Sequence, residues 1–315
     1  MVPLIIAHRG ASGYLPEHTL QAKTLAHEMG ADFLEQDVVA TRDDQLVVLH
    51  DIYLDRVSDV ATRFPGRVRD DGRYYVRDFD LAEIRELRAW ERMKPDGTAV
   101  YPDRYPARSG QFGIHTLAEE IELVQQLNQD SDRKAGIYPE IKRPAWHREE
   151  GVDIAPAMLA LLRSFGYSGR DDPVFVQCFD ADEVRRLRHE LACPWQLVQL
   201  IGENSWREAD TDYEFLLTTE GLEQLAENAD AIGPWTQHLY NYEETNGRLV
   251  SSGLTSRAHE LGLAVHPYTF RVDELPPGFT SFDDLIFYFA RNLGVDGLFT
   301  DFPDRVRQLL YDVDH

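Results

Sequence analysis

Apolar and polar positions along the chain follow two rhythms. Short apolar runs of strand length occur at residues 3–7, 33–39, 136–141, 174–177, 196–200, 229–233, 264–268 and 297–300. Between them lie longer segments with helical spacing. Leu117, Ile121 and Val124 form one stripe, Ile154, Met158, Leu161 and Phe165 a second, and Val184, Leu187 and Leu191 a third. Parallel strands need crossover helices. Eight strand–helix units in 315 residues therefore predict an α/β fold, a closed (β/α)8 or TIM barrel, forming a single domain over residues 1–315.

One stretch breaks the alternation. Residues 51–113 separate the second strand from its helix and are rich in Arg, Asp, Tyr, Gly and Pro. Long connections after a barrel strand's C-terminal end lie over the active face, so this segment is expected to be an insertion that caps the active-site mouth. Phe64, Tyr74, Tyr75, Phe79, Ile84 and Leu87 give it apolar residues to pack. From Asp55 to Arg77, the arginines at 56, 63, 67, 69, 73 and 77 outnumber the aspartates at 55, 59, 70 and 71, a balance that suits a solvated mixed surface.

Composition narrows the class of partner. With 43% hydrophobic and 28% charged residues, the chain has the make-up of a soluble folded protein, and no run has the roughly 18 to 20 apolar residues that a membrane span needs. The segment 1–7 lacks both the charged start and the long apolar core of a signal peptide. The 32 basic and 55 acidic side chains sum to −23, which argues against nucleic acid or an anionic membrane as partner. An anionic substrate would need positive charge supplied locally. Cys178 falls in a predicted strand and Cys193 beyond the next predicted helix, so both are expected to be reduced thiols.

The chemistry-bearing residues sit at strand ends. His8 and Arg9 close the first strand just before Gly10, which places an imidazole and a phosphate-binding guanidinium on the catalytic face of a barrel. In the second strand, period-2 alternation turns Glu35 and Asp37 to one face and Leu34, Gln36 and Val38 to the other. Two carboxylates so close must share a proton or a cation, or pair with Arg9 or Lys142. Glu140 and Lys142 likewise share a face of the third predicted strand. Three carboxylates without a thiolate make a hard, oxygen-rich site that favours Ca²⁺ or Mg²⁺. His50 ends the apolar run 46–49 as His8 ends the first strand, and two histidines flanking a bound phosphate can divide acid and base roles. In Pro16-Glu17-His18-Thr19, Thr19 or Glu17 can cap the first helix.

His8-Arg9-Gly10, Pro16-Glu17-His18-Thr19, Glu35-Gln36-Asp37, Thr41-Arg42-Asp43, the stretch 47–51 and Pro139-Glu140-Ile141-Lys142 together resemble the glycerophosphodiester phosphodiesterase signature. The resemblance continues through Gln177-Cys178-Phe179-Asp180, Val265-His266-Pro267-Tyr268-Thr269 and residues 296–303, and so spans essentially the whole chain. It implies metal-dependent hydrolysis of glycerophosphodiesters, with His8 and His50 as the acid/base pair. It also implies Glu35, Asp37 and Glu140 as ligands of Ca²⁺ (Mg²⁺ the alternative), Arg9 on the phosphate and Lys142 as added positive charge. Glu17, Gln177, Phe179 and the region of Tyr268 to Phe270 are implied as pocket wall. Gly72-Arg73-Tyr74-Tyr75 resembles the bacterial periplasmic branch, which implies a periplasmic location after removal of a signal peptide, the cytoplasm being the alternative. A small-molecule substrate, no nucleic acid, no stable membrane insertion and an optional homodimer complete that picture. Related barrels that release a cyclic phosphate, and a non-catalytic phosphodiester-binding protein, are the competing readings.

Overall fold

The computed structural model describes residues 2–311. Eleven strands are present among them: β1 (Leu4–Ala7), β2 (Phe33–Ala40), β3 (Leu46–Val48), β4 (Gly136–Ile141), β5 (Phe175–Cys178), β6 (Gln196–Ile201), β7 (Ala231–Pro234), β8 (Tyr240–Glu243), β9 (Arg248–Ser251), β10 (Ala264–Val265) and β11 (Gly297–Thr300). Eight of them pair side by side in the order β10-β7-β6-β5-β4-β2-β1-β11, and every pairing along that path is parallel. The ring closes through backbone bonds between the two end strands' neighbourhoods. The Asp296 amide donates to the Val265 carbonyl at 2.9 Å, that of Phe299 to Pro267 at 3.1 Å and that of Phe270 to Phe299 at 2.8 Å. The fold is the expected α/β barrel.

Three strands were not anticipated. The apolar run at 46–48 is itself a strand, antiparallel to β2, and β8 pairs with β9 in a separate hairpin. The predicted seventh strand, 264–268, contains only two residues of regular ladder, because Pro267 has no amide to donate. The predicted helices appear as Leu117–Asp130, Ile154–Ser164 and Ala181–His189. Their apolar stripes, including Leu117, Ile121, Val124, Met158, Val184 and Leu187, pack against the outer face of the barrel. Thr116 caps the first of these by accepting from the Glu119 amide at 3.2 Å, while the Thr116 amide donates to the Glu119 carboxylate at 2.8 Å. Cys178 and Cys193 are buried and free. No helix among the described residues is long and apolar enough to cross a membrane.

Inside the barrel a compact plug of Ile6, Tyr138, Phe175, Val198, Ala231 and Phe299 fills the space. Period-2 geometry then decides what comes next toward the strands' C-terminal ends. Two residues beyond Ile6 is His8, two beyond Tyr138 is Glu140, and two beyond Phe175 is Gln177. The polar layer sits directly on the apolar one.

Residues 51–113 form short helical turns and isolated bridges around a second apolar cluster. Leu54, Val60, Val76, Phe79 and Ile84 are fully buried in it. Most of the early arginines here meet carboxylates: Arg67 pairs with Glu83, Arg69 with Asp78 and Glu150, Arg73 with Asp55, and Arg77 with Asp44. These pairs hold the segment together and, through Asp44 and Glu150, tie it to the barrel. Later residues of the segment, Arg92, Tyr101 and Arg104, reach a cavity of about 170 Å³ that His8, Arg9 and His50 also line.

Candidate active site

A larger cavity, about 330 Å³, opens at the C-terminal ends of the strands. His8, Arg9, Glu35, Asp37, His50, Glu140, Lys142, Gln177, Phe179 and Tyr268 all line it. These ten converge on one space, and Thr269 lines it too, whereas Phe270, expected in the same wall, is fully buried in the core against Phe289 and does not reach it. Glu17 instead lines the adjoining 170 Å³ cavity, behind Arg9.

The carboxylates come from register. Asp37 stands opposite Glu140, and Glu140 opposite Gln177, across three neighbouring strands. Glu35, Asp37 and Glu140 each offer an oxygen within 4.8 Å of the others'. All three are buried. Burial, then repulsion from Asp37, pushes the Glu35 carboxyl up to about 8. Glu140 is also raised, by burial and by Asp37, despite Lys142 at 2.8 Å. Asp37 is held well below the usual carboxylate range because Lys142 and His18 outweigh its burial. The Asp37 Oδ1 is buried with no hydrogen-bond partner. An acceptor left open beside two other crowded carboxylates fits a hard divalent cation.

The first loop is shaped to serve these groups. Arg9 takes a left-handed backbone, φ 58°, and Gly10 follows at φ 89°. A Cβ on Gly10 would come within 2.9 Å of the Ala22 backbone, so no larger residue fits there. The turn aims the Arg9 amide at Glu35 Oε2, 2.8 Å away, while its guanidinium donates to Glu17 at 3.0 Å and lies 3.7 Å from Asp37. Pairing with Arg9 therefore coexists with the carboxylate cluster. Gln177 donates to Glu35 Oε1 at 2.9 Å. Thr19, not Glu17, caps the first helix, Leu20–Glu28.

Each candidate acid/base histidine is held by a carboxylate. His8 Nδ1 lies 2.6 Å from Asp301 Oδ1, and His50 Nδ1 lies 2.6 Å from Asp51 Oδ1. With Nδ1 donating, Nε2 is left free on both rings; that of His8 lies 4.0 Å from Glu35. Burial and Arg9 lower His8 to about 4 and His50 to about 3. Asp301 is in turn gripped by Arg271 and Arg104, each at 2.8 Å, and Asp51 by Arg92 at 2.6 Å. Arg92 also binds Glu17 at 2.6 Å, which links the 51–113 segment to the loop carrying Arg9.

Sequence reasoning missed this supporting layer. Asp301, Asp51, Arg92 and His18, whose Nε2 lies 2.6 Å from Asp37, were given no role. His18, Asp51 and Asp301 lie within or at the end of motifs already noted, so their place in those motifs was an available signal. Arg92 had none. Trp206 and Trp235, which complete the far wall of the larger cavity, were also missed.

The family model described as the Glycerophosphoryl diester phosphodiesterase family matches residues 8–305. A glycerophosphodiester phosphodiesterase of Haemophilus influenzae is 42% identical, over 96% of this chain and 88% of that protein. One from Treponema pallidum is 37% identical, over 96% of this chain and 90% of its own length. Among solved structures, the barrel superposes on an Oleispira antarctica phosphodiesterase with a TM-score of 0.65 at 21% identity, covering 98% of this chain and 96% of that one.

Proposed function

Because the chain belongs to the glycerophosphoryl diester phosphodiesterase family and is an enzyme of that kind, we propose that it hydrolyses glycerophosphodiesters with a divalent cation and two histidines. Glycerophosphocholine and glycerophosphoethanolamine are substrates of the class intended, and the products are sn-glycerol 3-phosphate and an alcohol. The observation that carries the reading is the meeting, in one cavity, of two carboxylate-oriented imidazoles with three carboxylates whose oxygens lie within 4.8 Å of one another. The Oleispira antarctica phosphodiesterase, solved with the product sn-glycerol-3-phosphate, supports the choice of product.

Glu35, Asp37 and Glu140 would hold the cation, with Ca²⁺ preferred to Mg²⁺. When bound, it supplies Lewis-acid stabilisation of the charge that grows on the phosphoryl oxygens. Arg9 and Lys142 neutralise the rest of that charge. One of His8 and His50 takes the proton of the nucleophile through its free Nε2, and the other, taking up a proton at Nε2 when the anionic diester binds beside it, gives that proton to the departing alcohol oxygen. Asp301 and Asp51 keep the rings in the tautomer that leaves Nε2 facing the cavity. The segment 51–113 acts as a cap, a role supported by the Arg92 contacts that tie it to Glu17 and Asp51. The branch resemblance favours the periplasm over the cytoplasm as its site of action.

The test is release of glycerol 3-phosphate before and after chelation, with calcium and magnesium added back separately. Activity is expected to vanish with chelator and to return with calcium. Unchanged activity in chelator overturns the metal role, and a cyclic phosphate seen as an end product by phosphorus NMR overturns hydrolysis in favour of a lyase.

A further inference from the structure

The larger cavity extends past the reacting groups to an aromatic end. Phe179, Trp206, Trp235 and Tyr268 line it there, together with the Glu208 carboxylate. The Trp206 and Trp235 rings meet edge to face with centroids 5.3 Å apart, and Phe179 meets Tyr268 the same way at 5.9 Å. Trp206 is 39% exposed, with its ring contributing to the wall of this cavity. Its placement is built in: a Cβ on Gly202 would fall 2.7 Å from the Trp206 ring and 3.3 Å from that of Phe179. Only glycine lets the loop after β6 bring these two aromatics together.

Charge divides the surroundings of the reacting centre. The smaller cavity, on the side of the cap, presents Arg92 and Arg104 with their partners Glu17 and Asp301, while Arg271, also bonded to Asp301 beside His8, lines both cavities. The aromatic end presents ring faces and Glu208, whose Oε1 lies 3.3 Å from Arg143. Lys142 is also near, 5.6 Å from the Phe179 ring, but it is paired with Glu140 on the phosphate side. Ring faces attract cations, most strongly where water is excluded. They offer few hydrogen-bond acceptors, which a quaternary ammonium does not need and a primary ammonium or a sugar does.

Taking the hydrolytic reading above as its premise, we propose that Phe179, Trp206, Trp235 and Glu208 form the leaving-alcohol subsite and select a trimethylated ammonium alcohol. The anionic phosphate stays with Arg9 and Lys142. The cationic arm lies against the rings, away from the guanidiniums of the smaller cavity.

The experiment compares kcat/KM for glycerophosphocholine, glycerophosphoethanolamine and glycerophosphoglycerol in wild type, Trp206→Leu, Trp206→Phe and Glu208→Gln. Trp206 is partly exposed on a loop, so its replacement does not threaten the fold. Wild type is expected to prefer the choline diester. Trp206→Leu is expected to lose roughly 3- to 30-fold more kcat/KM on that substrate than on glycerophosphoglycerol, with Trp206→Phe recovering part of the loss. Equal rates for the three diesters in wild type, or equal losses in the variant, overturn the subsite. If no glycerophosphodiester is turned over, the hydrolytic premise fails, and choline titration of tryptophan fluorescence then decides alone. Quenching in wild type that is lost in Trp206→Leu upholds the subsite, and its absence in wild type overturns it.

Discussion

Lys23 lies in the first helix with its whole side chain buried, and its ammonium is 2.6 Å from Glu120 Oε1, itself fully buried. The same ammonium donates to the backbone carbonyl of Glu35, and Glu120 Oε2 lies 2.7 Å from His115 Nε2. Burial alone would raise Glu120, but Lys23 and His115 hold it down to about 2. Relative to an ordinary glutamate near 4.5, that depression is worth about 3 kcal/mol at neutral pH. The stabilisation is present above pH ~4.5 and is lost as pH falls through ~2. Removing one partner of a buried pair independently costs ~3–5 kcal/mol, while replacing both with groups of similar shape is close to neutral. Lys23→Met should therefore lower unfolding stability by about 3–5 kcal/mol. With an m-value near the upper end of ~1–3 kcal/mol/M, the urea midpoint should fall by roughly 1 to 2 M. The double variant Lys23→Met with Glu120→Gln should regain at least ~2 kcal/mol of that loss. Urea titrations followed by far-UV circular dichroism measure Lys23→Met, Glu120→Gln and the double variant against wild type. A single variant within ~1 kcal/mol of wild type, or a double variant as costly as the two singles added, would refute the pairing argument.

Glu91 is buried with Oε2 unpartnered, and burial with Glu17 nearby raises it to about 8. A raised carboxyl costs stability increasingly from pH ~4.5 to ~8, so Glu91→Gln should gain ~1–3 kcal/mol at pH 7 and little at pH 4.5; a less stable variant at pH 7 in thermal melts would contradict this. His147 Nε2 accepts from the Ala40 amide at 3.2 Å while Nδ1 donates to the Arg143 carbonyl, so only the neutral ring fits, and burial lowers it to about 4. The unfolded chain then protonates first as pH falls below ~6.5, and any stability gap between wild type and His147→Gln should shrink by about 2 kcal/mol between pH 7.5 and 5. A constant gap would show that His147 titrates normally. Asp301→Asn should cost kcat within the ~10²–10⁴ range of acid/base catalysis, because the amide can no longer fix the His8 tautomer; retention of more than half the wild-type kcat in steady-state assays would remove Asp301 from the mechanism.

The barrel was legible because each of its strands is buried on both faces and so reads as a dense apolar run. The polar layer was legible for a related reason. Once Phe33 faces inward, Glu35 and Asp37 must as well, and pairing of β2 with β4 brings Glu140 level with Asp37. The interior of residues 51–113 was not legible. Its apolar residues pack through isolated bridges such as Tyr53 with Tyr75 and Ala89 with Phe112, which leave no period in the sequence. Nor could the hairpin β8–β9 be found, since Asn241, Tyr242 and Glu243 are exposed and Tyr240 alone of the two strands' residues is buried.

The residues that orient the histidines were hidden for a topological reason. His8 and Asp301 are 293 positions apart, and they touch only because β1 and β11 are neighbours in the closed ring. Closure can be inferred from eight strands, but which acidic side chain at the end of the last strand meets the histidine at the end of the first depends on register, one residue of slip turning the carboxylate outward. The His50 arrangement is the opposite case: its carboxylate is the next residue, yet what fixes that carboxylate is Arg92, 41 positions on and in the least periodic part of the chain. The two rings are thus held by equivalent contacts of different origin: barrel closure brings Asp301 to His8, with Arg271 and, from the 51–113 segment, Arg104 bonded to that carboxylate, whereas Asp51 is fixed by that segment alone. Loosening that segment without touching any cavity residue, for example by Phe79→Ala at its fully buried centre, should therefore disturb the His50–Asp51 contact more than the His8–Asp301 contact, which keeps Arg271. Nitrogen NMR of the imidazoles checks this directly, and a change as large at His8 as at His50 would mean that the segment supports both rings alike.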